Sequence, residues 1–129
     1  MLQVHVLDEL HPHSSNVAHG VEVPAGARLL LTNGQVGTLP DGTTPEDASN
    51  QVTIIFERLK AVLAAARMSL DDVVRFDVFV TDESYVKIFV AARDAVMGRH
   101  KPAATLLVVK GLARPALKIE VEAIAAKAD

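Results

Sequence analysis

The stretch Lys101–Ala126, KPAATLLVVKGLARPALKIEVEAIAA, decides the fold of this chain. We predict two strands here, joined by a short turn. The first, Ala104–Val109, ends in a run of four large apolar residues, which is typical of a strand buried on both faces. The second alternates, with apolar Leu117, Ile119, Val121 and Ala123 on one face and ionisable Lys118, Glu120 and Glu122 on the other. This alternation predicts a sheet with helices on one side and another subunit or a ligand cleft on the other.

Four further strands are predicted upstream from short apolar segments that are bounded by turn residues. They are Met1–Val6, Val17–Val23, Arg28–Val36 and Val73–Val80. The second and third of these lie close together in the chain, which predicts an antiparallel hairpin between them.

Two helices are predicted from apolar residues that recur at spacings of three and four. The first runs from Thr44, as a cap, to about Arg67, and the second from Thr81 or Asp82 to about Arg99. The element order β-β-β-α-β-α-β-β predicts an α+β fold. We expect a mixed six-stranded sheet with both helices on one face, because strand–helix–strand crossovers are right-handed.

Length and composition predict the class of protein. The chain has 129 residues, which suits a single domain over 1–129, and it contains no cysteine. A net charge of −3, no cluster of lysine or arginine and few aromatic residues argue against a nucleic-acid partner. No apolar run is long enough for a membrane span and no secretory signal is present, so we expect a cytoplasmic protein. Half of the residues are hydrophobic, which favours self-association.

Several short motifs stand at defined positions along this order of elements. They are Asn33-Gly34-Gln35, Pro40-Asp41-Gly42, Leu70-Asp71-Asp72-Val73-Val74, Val78-Phe79-Val80, Lys101-Pro102-Ala103 and Lys118-Ile119-Glu120-Val121-Glu122-Ala123-Ile124-Ala125. With these motifs the chain resembles the reactive-intermediate deaminase family, called RidA, YjgF or L-PSP endoribonuclease. Element order and spacing agree from about Val17 to the end, and the last motif is the most specific.

The resemblance implies a chorismate-mutase-like fold and a homotrimer with ligand clefts between subunits. It also implies a substrate class: small 2-imino or 2-enamino acids, hydrolysed to 2-oxo acids and ammonia without a metal or organic cofactor. We therefore expect a small-molecule hydrolase of the deaminase type. The alternative is a non-catalytic ligand-binding or regulatory trimer. An RNA-cleaving protein, a label that the family has carried, is disfavoured by the acidic balance.

Residue by residue, the resemblance implies a catalytic role for Glu122, which would position water or the leaving ammonia. It implies that the backbone N–H of Gly34 holds a carboxylate or an oxyanion. The remaining cleft positions that it implies are Asn33, Val17, His19, Ala91, Ala104, Thr105 and Leu106. No residue is assigned to a metal.

The chain departs from the family pattern at Ala104. Active members have an arginine there, which pairs with the substrate carboxylate in a bidentate manner. Candidate replacements for this cation are Arg75, Arg114 and Lys110. Alternation along the strand puts Leu106 and Val108 on the side of Ala104, which predicts a more apolar cleft.

Structural roles remain open for the same residues. Glu120 and Glu122 equally fit ion pairs with Lys118 or Arg75 at a subunit interface. Gly34 also fits a plain turn or bulge glycine. The histidines of the first 19 residues (His5, His11, His13 and His19) have no recognised metal-ligand spacing, and Ser14 and Ser15 lie in no nucleophile motif.

Overall fold

Strand β7 (Ile119–Lys127) lies inside the main sheet of the computed structural model, which describes residues 1–10 and 16–129. On one side β7 pairs antiparallel with β3 (Arg28–Leu31) and β4 (Gln35–Val36). On its other side it pairs antiparallel with β5 (Val73–Val80), and β6 (Ala103–Val108) runs parallel to β5 at the sheet edge. These strands form a five-stranded mixed sheet over the described residues.

A second, two-stranded sheet is formed by β1 (Gln3–His5) and β2 (Gly20–Glu22). The predicted hairpin between the second and third strands is therefore wrong, because β2 pairs with β1 whereas β3 pairs with β7. The predicted α+β class, mixed sheet and element order are confirmed, except that the predicted strand Arg28–Val36 is divided into β3 and β4. The strands form two sheets rather than one sheet of six.

The two helices of the described residues, α1 (Ala48–Ala65) and α2 (Tyr85–Met97), pack on one face of the main sheet. Three fully buried rings join the layers. Phe56 of α1 meets Phe76 of β5 edge to face at 6.0 Å between centroids and stacks with Phe89 of α2 at 5.9 Å. Burying such aromatic side chains and their contacts is a main source of core stability.

Both helices begin later than the sequence predicted. Asp47, not Thr44, caps α1: its side chain accepts hydrogen bonds from the backbone N–H groups of Ser49 and Asn50. Before α2, the Asp82 side chain accepts from the Ser84 backbone N–H at 2.9 Å. A carboxylate at each start meets N–H groups that have no partner within the helix.

The short turn predicted between the two strands of Lys101–Ala126 implies a hairpin, and this is also wrong. β5 lies between β6 and β7, so these two strands are not neighbours. The parallel β5–α2–β6 crossover places β6 on the outer edge of β5. Leu107 and Val108 are consequently 49% and 54% exposed, which overturns the expectation of a strand buried on both faces.

The predicted alternation of β7 is confirmed. Ile119, Val121 and Ala123 are buried toward the helices, and so is Leu117 just before the strand. One polar side chain completes this layer: fully buried Gln51 donates to the carbonyls of Pro45 and Ala116 and accepts from the backbone N–H of Lys118. These three bonds fix the two loops beside the start of β7.

No helix among residues 1–10 and 16–129 has the length and apolar character that crossing a membrane requires.

Candidate functional site

The face of the main sheet that points away from α1 and α2 is called the open face here. It carries alternate residues of its strands, which strand register places in rows. Its members are Leu29 and Leu31 of β3, Glu120, Glu122 and Ile124 of β7, Arg75, Asp77 and Phe79 of β5, and Ala103, Thr105 and Leu107 of β6. Leu29 and Leu31 are 60% and 68% exposed. The open face is thus an uncovered surface that mixes large apolar groups with ionised ones.

Gly34 and Glu120 meet on this face. A β-carbon on residue 34 would lie 2.0 Å from Oε2 of Glu120, so the carboxylate occupies the space that a side chain would need. The chain bulges here: Thr32 bonds to Ala123 and Gln35 pairs with Val121, which leaves residues 33 and 34 opposite residue 122. This contact requires glycine and places a carboxylate beside its backbone.

Buried Gln35 holds the Gly34 segment in place. Its amide nitrogen donates to the carbonyl of Asn33 at 3.1 Å, and its carbonyl oxygen accepts from Nε of Arg58 at 3.0 Å. Arg58 also donates to the carbonyl of Thr38 at 2.9 Å. Because donors and acceptors on both sides of Gly34 are fixed, the segment is preorganised.

Glu122 lies two residues further along β7, exposed and directly opposite Asp77. Arg75 is bonded to Asp77 through Nε at 3.0 Å and to the hydroxyl of Thr105 through Nη2. Arg75 is therefore paired within its own chain, with Asp77 rather than with the glutamates of β7.

Arg114, a second candidate cation, and Lys118 bond to loops. Arg114 donates to the Thr38 hydroxyl at 3.0 Å, and Lys118 donates to the Glu46 carbonyl and lies 5.8 Å from the Tyr85 ring centroid. Lys110 and Arg114 line a surface pocket of about 430 Å³ beyond the end of β6.

One carboxyl in the loop after β4 has a shifted pKa. The hydroxyl and backbone N–H of Thr43 both donate to Asp41, at 2.7 and 2.9 Å. These hydrogen bonds favour the ionised form and hold the pKa of Asp41 below its ordinary value of 3.8.

The predicted site residues divide into separate groups. Asn33, Gly34 and Glu122 lie together, and Thr105 lies in the row of Glu122 two strands away. Ala104 and Leu106, in contrast, are half-buried against the core on the helix side, while Val108 at the strand end is exposed. Ala104 therefore shares its side with Leu106, as alternation predicts, but that side is the opposite one from Thr105.

Val17, His19 and Ala91 lie elsewhere. The backbone N–H of Ala18 bonds to the carbonyl of Pro102, and His19 bonds to the β1 segment through His5 and Leu7. This position is at the start of β6, whereas Glu120 is level with Leu107 near its end. Ala91 is exposed on α2. These three predicted residues approach Gly34 only if a second copy contributes them.

From the sequence, Glu120 is predicted only as an ion-pair partner at an interface. Alternation put Glu120 and Glu122 on one face but gave no means of choosing between them. The bulge at residues 33 and 34 sets which carboxylate contacts Gly34, and a bulge has no distinct signal in an Asn-Gly pair. His11, His13, Ser14 and Ser15 lie outside the described residues.

Within residues 1–10 and 16–129, no three histidine, aspartate or glutamate side chains converge in a way that could hold a metal ion.

The sequence of this chain is similar to those of known proteins. Residues 11–127 match the family described as Endoribonuclease L-PSP. The 2-iminobutanoate/2-iminopropanoate deaminase of Salmonella typhimurium is 33% identical over 103 residues, covering 77% of this chain and 80% of that protein.

Solved structures agree with the sequence match. A Rid-family protein of unknown function, YyfB from Yersinia pestis, superposes with a TM-score of 0.88 at 28% identity, covering 98% of both chains. E. coli TdcF with bound serine gives 0.73 at 26% identity, covering 97% of this chain and 94% of that one.

The fold is thus that of the YjgF and Rid proteins. The chain belongs to the L-PSP endoribonuclease family, the family of RidA and YjgF.

Proposed function

We propose that this protein hydrolyses a small imine or enamine metabolite to a carbonyl compound and ammonia. The observation that carries the proposal is the contact between the Glu120 carboxylate and Gly34, held by the buried Gln35. A carboxylate next to a backbone N–H can accept a proton from water while the N–H stabilises charge on oxygen. The deaminase name of a relative 33% identical to this chain supports the same chemistry.

The reaction needs one proton acceptor and no redox step. Water attacks the carbon of the protonated imine as the C=N electron pair moves to nitrogen, and the attacking water gives a proton to the Glu120 carboxylate. Glu120 passes that proton to the nitrogen, the C–N bond breaks with its electron pair leaving on ammonia, and the hydroxyl proton is released as the carbonyl forms. Glu122, the residue named from the sequence, would act as the neighbouring carboxylate of the same cleft.

We propose that the cleft is completed by a second copy in a homotrimer. The exposed leucines of the open face support this, because a large apolar area is costly to leave in water. The separation of Val17, His19 and Ala91 from Gly34 within one chain supports it as well. A face-to-face assembly would cover Leu31 and leave small-molecule clefts where two copies meet.

The test is the rate of ammonia release from freshly generated imines. We expect acceleration of at least one of two isosteric substrates, 2-iminobutanoate and butan-2-imine, in which a methyl group replaces the carboxylate. Glu120→Gln should abolish the acceleration, Glu122→Gln should weaken it, and Glu57→Gln on the exposed surface of α1 should leave it unchanged. If neither imine is consumed faster than in buffer, the proposal fails.

A non-catalytic, ligand-binding trimer is the second candidate function. It is favoured by Ala104, which offers no cation where the family resemblance implies one. A ligand that binds the folded state raises the melting temperature by mass action. A metabolite that stabilises the protein and is recovered unchanged would support this function, whereas its conversion would eliminate it.

A single domain, a cytoplasmic location, no nucleic-acid partner and no cofactor remain predictions from the sequence.

A further inference from the structure

We infer that the preferred substrate is a cationic iminium without a carboxylate. The inference rests on the proposed function and concerns the charge of the same site. The ionised groups of the open face, the bonds that Arg75 makes and the positions of the neighbouring cations support it.

The open face is acidic around the Gly34 contact. Its described residues bring three carboxylates, Glu120, Glu122 and Asp77, against one guanidinium, Arg75. Glu122 and Asp77 are direct cross-strand partners, an arrangement in which like charges repel. A positively charged substrate bound near Glu120 reduces the repulsion among these carboxylates, whereas a substrate carboxylate increases it.

Arg75 already bonds a carboxylate of its own chain. A guanidinium clamps a carboxylate through two parallel N–H groups. In Arg75 the Nε–Nη2 edge already faces Oδ1 of Asp77, at 3.0 Å from each nitrogen, and Nη2 also reaches Thr105. A substrate carboxylate could use this edge only by displacing Asp77, which would then be left without its partner.

The apolar members of the open face strengthen this charge selection. Phe79, Leu107 and Ile124 border the carboxylates, and covering them by a second copy would exclude water. Charges interact more strongly as the local dielectric constant falls. Ala104 and Leu106, the β6 residues on the other side of the strand, bring no cation to such a contact.

Three neighbouring cationic side chains donate hydrogen bonds to groups of the surrounding loops. Arg58 and Arg114 both bond to Thr38, and Lys118 bonds to the Glu46 carbonyl. Among the described residues, the charged group that contacts Gly34 is therefore the Glu120 carboxylate. A negatively charged group at this position favours a positively charged substrate.

An iminium suits this site chemically as well. Protonation on nitrogen makes the carbon electrophilic, and the cation is attracted to Glu120, which also accepts the proton of the attacking water. Iminium and water yield a carbonyl compound and ammonium, so that mass and charge balance with no further reactant.

The experiment compares 2-iminobutanoate with butan-2-imine. The imines are formed in situ by oxidation of 2-aminobutanoate and 2-aminobutane, and the imine that remains is trapped with semicarbazide. We expect the protein to hydrolyse butan-2-iminium about tenfold faster than 2-iminobutanoate.

Asp77→Asn should shift this ratio of rates about tenfold toward 2-iminobutanoate, because the Nε–Nη2 edge of Arg75 is then free to bind the substrate carboxylate. Glu122→Gln, at an exposed position that tolerates the change, should shift it in the same direction, and Glu57→Gln should not.

Binding of stable analogues separates recognition from turnover. 2-Aminobutane, a cation, should raise the melting temperature of the wild-type protein more than propanoate, an anion. Faster hydrolysis of 2-iminobutanoate would overturn the inference and leave the proposed function standing. A higher melting temperature with 2-aminobutane, without hydrolysis of either imine, would support the preference for a cation and contradict the proposed hydrolysis. Stabilisation by neither analogue, with turnover of neither imine, would overturn both.

Discussion

Glu120 fills the side-chain space of Gly34: its carboxylate oxygen lies 2.0 Å from where a β-carbon of residue 34 would stand. The same ideal position is 2.9 Å from the carboxyl carbon of Glu120. The carboxylate therefore occupies the space that the missing side chain of Gly34 leaves. A change of one atom at residue 34 should move it.

Gly34→Ala should remove activity while leaving the fold intact. The atoms in the way belong to the far end of the flexible Glu120 side chain, so the free energy of unfolding should change by only about 1 kcal/mol. Displacing the carboxylate from its working position should lower kcat/KM by about tenfold or more. Gly111→Ala, where the added carbon meets open space, is the matched control. Unchanged kcat/KM in Gly34→Ala would show that the contact is only structural.

Gly37→Ala should instead destabilise the fold. A β-carbon there would lie 2.6 Å from both the α-carbon and the β-carbon of Gln51, which belong to α1 and to its buried polar side chain. Since backbone must shift, we expect a loss of about 1–3 kcal/mol in the free energy of unfolding. Urea denaturation measures it, and Gly20→Ala, with nothing near the added carbon, provides the comparison. Equal midpoints for the two variants would contradict the packing described for this loop.

Leu31→Asp should dissociate the proposed homotrimer. Leu31 is 68% exposed in the single chain, and a charge at a buried apolar contact between copies has no partner. Sedimentation velocity should show trimers for the wild type and single chains for the variant. Ala61→Asp, on the exposed side of α1, should remain trimeric. A wild type that sediments as single chains would remove the assembly and the cleft that depends on it.

Thr43→Ala should raise the pKa of Asp41. The largest cause of the lowered value is the hydrogen bond from the Thr43 side chain, which that substitution deletes. Because the folded-state pKa lies below the ordinary one, the bond stabilises the protein above about pH 4 and loses its effect as pH falls through the folded pKa. An NMR titration of the Asp41 carboxyl resonance measures the shift.

Ser84→Ala is the control for that titration. The Ser84 side chain lowers the pKa of Asp82 in the same way, so this variant should raise Asp82 and leave Asp41 where it was. An Asp41 resonance that titrates identically in Thr43→Ala and in the wild type would contradict the hydrogen-bond assignment.

The residues that were predicted well are those whose environment repeats along the chain. The bounds of Val73–Val80 were predicted as observed, and the buried set Ile119, Val121 and Ala123 followed from period-two alternation. Helix ends were predicted less well, because Thr44 and Asp47 are both good caps and the sequence pattern does not choose between them.

By itself, the sequence determined the α+β class, the faces of its strands and helices, and the family, because these depend on the order and period of side chains along the chain. Only the tertiary structure decided that β5 separates β6 from β7, that Glu120 rather than Glu122 contacts Gly34, and that Arg75 is paired with Asp77. These are relationships across strands. They depend on strand register, on a bulge at residues 33 and 34 and on competition among charged neighbours. None of these features has a signal in the periodicity of the sequence.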